Sequence, residues 1–293
     1  MSAVAERTWR QVEATVTEQR PCGAGHFWLE LEVPDDVPMP EPGQFVQLLL
    51  DPPTPVLLPR PMSVAAASNG KHPRLGFLYQ PVGTGTIALA SMTPGDKVEV
   101  LGPLGRGFPL EERGAPVLVA GGRGVAPLLF AADWLARHGR RCTFLFGARD
   151  RSHLVHLDEA RARMGGHGGA LHEATDDGSA GFHGSVVGLL RTLWPTLDKP
   201  VVIHACGPHA MLKAVALWAM EHDVRAHLAM ESVMACGTGV CRGCPLPRSA
   251  AGSRRYVRER GEAPSLLGNR EYAMTCTEGP VFEARELDWE RVE

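Results

Sequence analysis

The chain has 293 residues, enough for two domains at roughly 150 residues each, with room for a small third. Hydrophobic residues make up 44% and charged residues 22%, a globular balance that excludes wholesale disorder. A formal net charge of −3 provides no basic field for nucleic acid or for an anionic membrane surface.

Residues 1–112 read as β structure. Leu29, Leu31 and Val33 alternate with Glu30 and Glu32, the period of a half-buried strand. Gly43–Leu48, Leu75–Tyr79 and Lys97–Val100 read as further strands separated by Pro and Gly, and only Thr86–Met92 suggests a helix. Many short strands with such turns predict an antiparallel β-barrel or sandwich. Near Gly114 the pattern changes. Val117–Ala120 is a buried-type strand entering a glycine turn, and Val125–His138 is helical. Strands at Cys142–Phe146, Ala170–Thr175, Val201–Ala205 and Val224–Met230 alternate with helices at Ser185–Leu193 and His209–Glu221. That alternation predicts an α/β doubly wound parallel sheet over 113–230. Residues 231–293 form a third unit, rich in Gly, Arg, Pro and Cys and with little periodicity. So short a segment cannot easily build its own core, and a bound metal centre would supply the missing stability.

The start, Met1-Ser2-Ala3-Val4-Ala5-Glu6-Arg7, lacks the apolar core of a secretory signal, and no uncharged apolar run is long enough to span a bilayer. A cytoplasmic protein is expected, where disulfides are rare, so the seven cysteines need another reading. Cys22, Cys142 and Cys206 are scattered, as small core residues are. Cys236, Cys241, Cys244 and Cys276 are spaced C-x4-C-x2-C-x31-C. C-x4-C-x2-C with a distant fourth cysteine is the plant-type [2Fe–2S] spacing. Gly237, Gly239 and Gly243 let the loop bend around a cluster and bring backbone N–H groups close to the sulfurs. The competing reading is a structural zinc site, which more often shows paired C-x2-C knuckles.

Three further motifs suit nucleotide cofactors. In Arg60-Pro61-Met62-Ser63, the Arg60 guanidinium is a charged fork for a phosphate, although the tetrapeptide alone is equally a surface arginine beside a turn proline. Val82-Gly83-Thr84-Gly85-Thr86 lies where a helix begins, a place suited to an anion. Two such sites in one β domain suit a diphosphate cofactor such as FAD. Gly121-Gly122-Arg123-Gly124 follows a strand and opens a helix, the context of a dinucleotide pyrophosphate site, without matching G-x-G-x-x-G. Cys206-Gly207-Pro208 follows the last clear strand, at the end of a sheet where ligands bind.

In this order, R-P-x-S, G-T-G-T, G-P-L-G at Gly102–Gly105, G-G-x-G-x-x-P and C-G-P resemble the ferredoxin–NADP reductase superfamily over about residues 8–230. The stretches from Glu231 to Gly239 and from Cys276 to Phe282 are similar to electron-transfer subunits of class 1B dihydroorotate dehydrogenases. The resemblance implies a β-barrel that binds FAD, an α/β domain that binds NAD, and a small C-terminal iron–sulfur domain. It also implies a partner, the FMN-containing dihydroorotate dehydrogenase catalytic subunit of pyrimidine biosynthesis, in a heterotetramer of two plus two. Electrons would pass from that partner by way of the cluster and FAD to NAD+. Carried over by motif, Arg60, Pro61, Met62 and Ser63 would contact FAD, with Leu78, Tyr79 and Gln80 along the flavin and Gly85 and Thr86 at its pyrophosphate. Gly121, Gly122 and Gly124 would line the dinucleotide site, Cys206, Gly207 and Pro208 would lie near the nicotinamide, and Cys236, Cys241, Cys244 and Cys276 would ligate the cluster.

Two features depart from the family pattern. The stretch between Cys244 and Cys276 is long and carries Arg248, Arg254, Arg255, Arg258 and Arg260, which reads as a disordered surface loop or else a partner-docking surface. Arg123 stands where the family has a small residue. The alternatives are the reductase component of another flavin/iron–sulfur system, either an oxygenase reductase or a ferredoxin-linked oxidoreductase subunit, and a non-redox zinc-stabilised binding module. Arg149 either reads a 2′-phosphate, which would favour NADP, or stacks on adenine, or is a surface arginine.

Overall fold

The computed structural model describes residues 9–50, 56–166, 168–260 and 271–292. The first sheet is antiparallel and seven-stranded. Its strands are β1 (Arg10–Pro21), β2 (Phe27–Glu32), β3 (Phe45–Leu49), β4 (Arg60–Ser63), β5 (Ala66–Ser68), β6 (Arg74–Tyr79) and β7 (Lys97–Leu104), in the spatial order β4-β3-β7-β1-β2-β6-β5. One short helix, α1 (Thr84–Ala90), interrupts them. The inward residues follow the two-residue period: Ala14 and Val16, Leu29 and Leu31, Val46 and Leu48, Leu75 and Phe77, Val98 and Val100 form one core. R-P-x-S is itself the strand β4, paired with β3 so that Gln47 faces Pro61.

The second sheet runs β11-β10-β9-β8-β12-β13-β16. Its parallel strands are β8 (Ala115–Gly121), β9 (Thr143–Ala148), β10 (Ala170–Thr175), β11 (Phe182–His183), β12 (Val201–Cys206) and β13 (Arg225–Ala229). Four helices accompany them: α2 (Val125–Arg137), α3 (Leu157–Gly166), α4 (Val186–Leu193) and α5 (His209–Glu221). Chain order reverses between β8 and β12, so the crevice at their carboxyl ends is the topological switch point of the sheet.

After β13 the chain forms a small two-stranded sheet from β14 (Pro245–Pro247) and β15 (Tyr272–Met274). Then β16 (Val281–Glu283) pairs antiparallel with β13 and extends the second sheet. The same tail is tied to the chain just after β7, where the Arg106 amide donates to Gly279 O at 2.6 Å, and to the end of β13, where the Met230 amide donates to Pro280 O at 2.9 Å. The arginine-rich stretch differs from the loop expected of it, since residues 250–260 are helix α6 (Ala250–Arg260). Residues 261–270 and the side chain of Arg260 lie outside the described residues. Among the described residues no helix is long and apolar enough to cross a membrane.

Candidate functional site

The residues singled out in β4, β6 and the α1 turn line one cleft between the two sheets. Pro61, Met62 and Ser63, Leu78, Tyr79 and Gln80, and Thr86 all face it. Arg60 packs over Gly85, where an added Cβ would collide with the stem of its guanidinium. Arg60 Nε is buried without a hydrogen-bond partner. A half-buried guanidinium with its Nε buried and unsatisfied, beside a glycine that leaves it room, suits the phosphate of a cofactor. Thr86 is engaged differently: its Oγ1 accepts from the Val82 and Gly83 amides at 2.9 and 3.1 Å, so the hydroxyl shapes the turn. Tyr79 is buried, its hydroxyl accepts from Gln19 Nε2 at 2.6 Å, and burial pushes its pKa up to about 12, so the ring stays neutral. Gln80 donates to Ala24 O at 3.4 Å and braces the loop that precedes β2.

On the opposite wall two loops meet at the switch point. β8 and β12 are neighbours in register, with Ala120 beside Cys206. An added Cβ on Gly124 would run into the Cys206 carbonyl, and one on Gly121 would lie 2.8 Å from Pro208 Cδ. These glycines therefore let the start of α2 and the C-G-P loop pack backbone to backbone. Gly122 has φ +50 and open space beside it, as expected of a loop edge that faces a ligand. Cys206 lines the cleft, and burial pushes its thiol well above the usual range, so it stays protonated. Arg149 is exposed and ion-paired with Asp150 at 3.6 Å.

Several cleft residues were not assigned a part by the motifs: Phe45, Met230, Glu231, Ser232, Met234 and Pro280 also line it, as does Arg123 of the glycine motif, and Ser232 Oγ is buried without a partner. Arg123 is exposed at the cleft rim. Glu231 and Ser232 follow β13 directly, so the peptide that leaves the second sheet forms cleft wall before it reaches the cysteines.

The four clustered thiols fall into two pairs. Cys236 Sγ accepts from the Thr238 and Cys241 amides, both at 3.4 Å, and Cys241 Sγ accepts from the Gly243 amide at 3.4 Å. Burial opposes ionisation of Cys236, but these amides outweigh it and bring the thiol down to about 6. Cys244 and Cys276 sulfurs are 3.2 Å apart, and the Cys276 amide donates to Cys244 Sγ at 3.4 Å. The bond from Cys276 lowers Cys244 to about 6, and the same bond pushes Cys276 upward, so this pair holds one proton between them. The charge of Cys236 acts on both members of that pair. Among the described residues no three His, Cys, Asp or Glu side chains stand as a metal-binding group. The fold supplies two sulfur pairs ringed by backbone N–H donors, with Cys244 and Cys276 buried and Cys241 exposed. That donor set, soft thiols with amides aimed at them, fits an iron–sulfur centre.

Phe45 and Met234 join the two places. Both line the cleft, and both belong to the apolar cluster that includes Cys244 and Cys276.

Residues 118–216 match the family model described as the oxidoreductase NAD-binding domain. The dihydroorotate dehydrogenase B (NAD+) electron transfer subunit of Desulforamulus reducens is 35% identical over 267 residues, 90% of this chain and 93% of that one. The subunit of the same name from Shouchella clausii is 35% identical over 95% of this chain and 98% of its own. A structure from work on flavin-based electron bifurcation, an NADH-dependent reduced ferredoxin–NADP oxidoreductase, superposes with a TM-score of 0.78 at 26% identity, over 100% of this chain and 93% of that chain. The ferredoxin reductase of carbazole 1,9a-dioxygenase shares the fold at a TM-score of 0.60 and 18% identity, over 75% of this chain and 68% of its own. An antiparallel half-barrel followed by a parallel α/β sheet is the two-domain fold of ferredoxin–NADP reductases. The chain belongs to the family of dihydroorotate dehydrogenase B (NAD+) electron transfer subunits.

Proposed function

We propose that the chain is a redox coupler holding FAD in the cleft, NAD at the switch-point crevice and a [2Fe–2S] cluster on Cys236, Cys241, Cys244 and Cys276. Its proposed service is to an FMN-containing dihydroorotate dehydrogenase subunit in pyrimidine biosynthesis. The relatives' names support that partner, and so does their coverage of nearly the whole chain. When bound, a flavin exchanges electron pairs with a nicotinamide and single electrons with a cluster, which is why the three groups belong in one chain.

Each residue's part follows from its place. Arg60, with Gly85 beneath it, binds the flavin diphosphate, while Pro61, Met62, Ser63, Leu78, Tyr79 and Gln80 wall the ring and its chain. Gly121, Gly122 and Gly124 admit the dinucleotide backbone, and Cys206, Gly207 and Pro208 form the floor beneath the nicotinamide. A protonated Cys206 and a neutral Tyr79 add no charge to the cleft. The observation that carries the reading is the shared wall: Phe45 and Met234 line the cleft and belong to the same apolar cluster as Cys244 and Cys276. Short separation is what electron transfer between centres needs, and no acid–base residue is required between them.

The test is to purify the chain without oxygen, measure iron, sulfide and flavin, and add the FMN subunit from the same organism. Dihydroorotate-dependent reduction of NAD+ is expected, and its absence overturns the assignment. Cys276→Ala is expected to lose iron while keeping the flavin absorbance. A colourless chain carrying one zinc would establish the zinc-stabilised module instead.

A further inference from the structure

Gln47 is in the middle of β3, and its neighbours define its surroundings. Val46 and Leu48 point into the barrel core. Phe45 and Leu49 point the other way, into the apolar cluster that contains Met234, Cys244 and Cys276. By the two-residue period, Gln47 shares that second face. It is fully buried, at 0% exposure, and neither carboxamide atom has a hydrogen-bond partner. An added Cβ on Gly237 would lie 2.8 Å from both Cγ and Nε2 of Gln47, so the amide is pressed against the residue next to Cys236.

A buried amide with no partner costs about 1–3 kcal/mol, and an apolar side chain of similar size would fill the same space without that cost. Packing therefore explains the bulk of the side chain but not its polarity. The acceptors associated with that face are sulfurs: Gly237 adjoins Cys236, and the apolar cluster holding Phe45 and Leu49 contains Cys244 and Cys276. Thiolate and sulfide only accept, so the N–H side of the amide is the useful one. Hydrogen bonds to cluster sulfurs raise the reduction potential, because the reduced form carries more negative charge and accepts more strongly.

We propose that Gln47 sets the potential of the iron–sulfur centre by donating its side-chain N–H to a sulfur of that centre. The proposal rests on the cluster reading above and adds to it a residue of the barrel, far in sequence from every ligand. Because β3 pairs Gln47 with Pro61 of the cleft wall, the same residue also lies in the backbone between the two centres.

The experiment uses the whole chain, purified anaerobically with its iron. In protein grown with glutamine labelled with nitrogen-15 at the side-chain amide, the reduced centre should show a nitrogen-15 coupling in pulsed electron paramagnetic resonance. Gln47→Leu should abolish that coupling. In redox titrations Gln47→Leu should move the cluster to lower potential relative to the flavin in the same sample. The expected shift in their one-electron equilibrium is about tenfold, equivalent to about 59 mV. Gln47→Glu, which keeps the size but loses the donor when ionised, should move it in the same direction. An iron-replete wild type without the coupling overturns the proposal, as does an unshifted midpoint in iron-replete Gln47→Leu. If Gln47→Leu fails to take up iron, the labelled wild type decides alone. A wild type without iron overturns the cluster reading, and this proposal with it.

Discussion

Arg60 reaches from β4 across Gly85 and leaves its Nε in the interior without a partner. A hydrogen bond to a charged group contributes about 1.5–3 kcal/mol, and 1.4 kcal/mol is about tenfold in affinity. Arg60→Ala should therefore weaken FAD retention by about tenfold or more while leaving the far-ultraviolet circular dichroism of the barrel unchanged; fluorescence titration of the deflavinated chain measures it. Arg60-Pro61-Met62-Ser63 was legible only together with the Gly83–Thr86 turn and the motifs that follow in order, since the tetrapeptide alone is equally a surface arginine. Gly121, Gly122 and Gly124 were legible because a plain turn does not need three glycines. Gln47 was not. A strand with one solvated face puts its polar residues in water, and nothing local in Gln44-Phe45-Val46-Gln47 says that the tail covers the second face. Glu231 and Ser232 were visible only as part of a family signature, since nothing in their own chemistry points to a cleft. Thr86 lines the cleft as its motif suggested, but its hydroxyl also accepts from the amides of its own turn, a bond the motif did not announce.

At the scale of elements, the parallel sheet was readable because its strands are apolar on both sides, as Val117–Ala120 and Val201–Ala205 show. β1 was missed: only Ala14 and Val16 along it are core residues, and the intervening Glu, Thr and Gln dilute the alternation. β16 was missed for the opposite reason, since three residues are too few for any period to register. The arginine-rich stretch looked like a solvated loop because charge dominates it. Arg248, however, is buried and paired with Glu278, it donates to Tyr272 O at 3.2 Å, and Glu278 in turn accepts from the Met274 amide at 3.0 Å. This pair clamps β15, and with it the approach to Cys276. Removing one partner of a buried pair costs about 3–5 kcal/mol, because the other charge is stranded. Arg248→Ala should thus lower the thermal midpoint and release iron before the flavin on heating, which parallel absorbance melts would follow. Retention of iron up to the midpoint of flavin release would contradict the clamp.

Over the whole molecule, buried histidines tie stability to pH. Burial lowers His26, His156, His204 and His227, with His204 well below its ordinary value. His156 stacks edge-on to Trp28 at 5.2 Å across the two sheets, and Arg20 meets Glu159 beside it at 3.3 Å. His204 is stacked on His227 at 5.6 Å, and His227 reaches Glu112 at 3.1 Å. The sign follows from proton binding. Below about 6.5 the unfolded chain takes up protons that these folded sites refuse, so stability is complete above that pH and is lost as pH falls toward the lowered values. Each proton steepens the loss by about 1.4 kcal/mol per pH unit. Thermal melts from pH 8 to 5.5 should show this decline, and His204→Leu should reduce its slope by about one proton. An unchanged slope would mean that His204 does not contribute. The placement of β16 also governs how the chain comes off the ribosome. Until residues 281–283 emerge, His227–Ala229 present an uncapped sheet margin, the kind of surface that recruits stray strands. The last cysteine is translated only a few residues earlier. Sealing that margin and bringing Cys276 to Cys244 are thus a single late event, so a prematurely released polypeptide would be both sticky and short of one of the four clustered thiols.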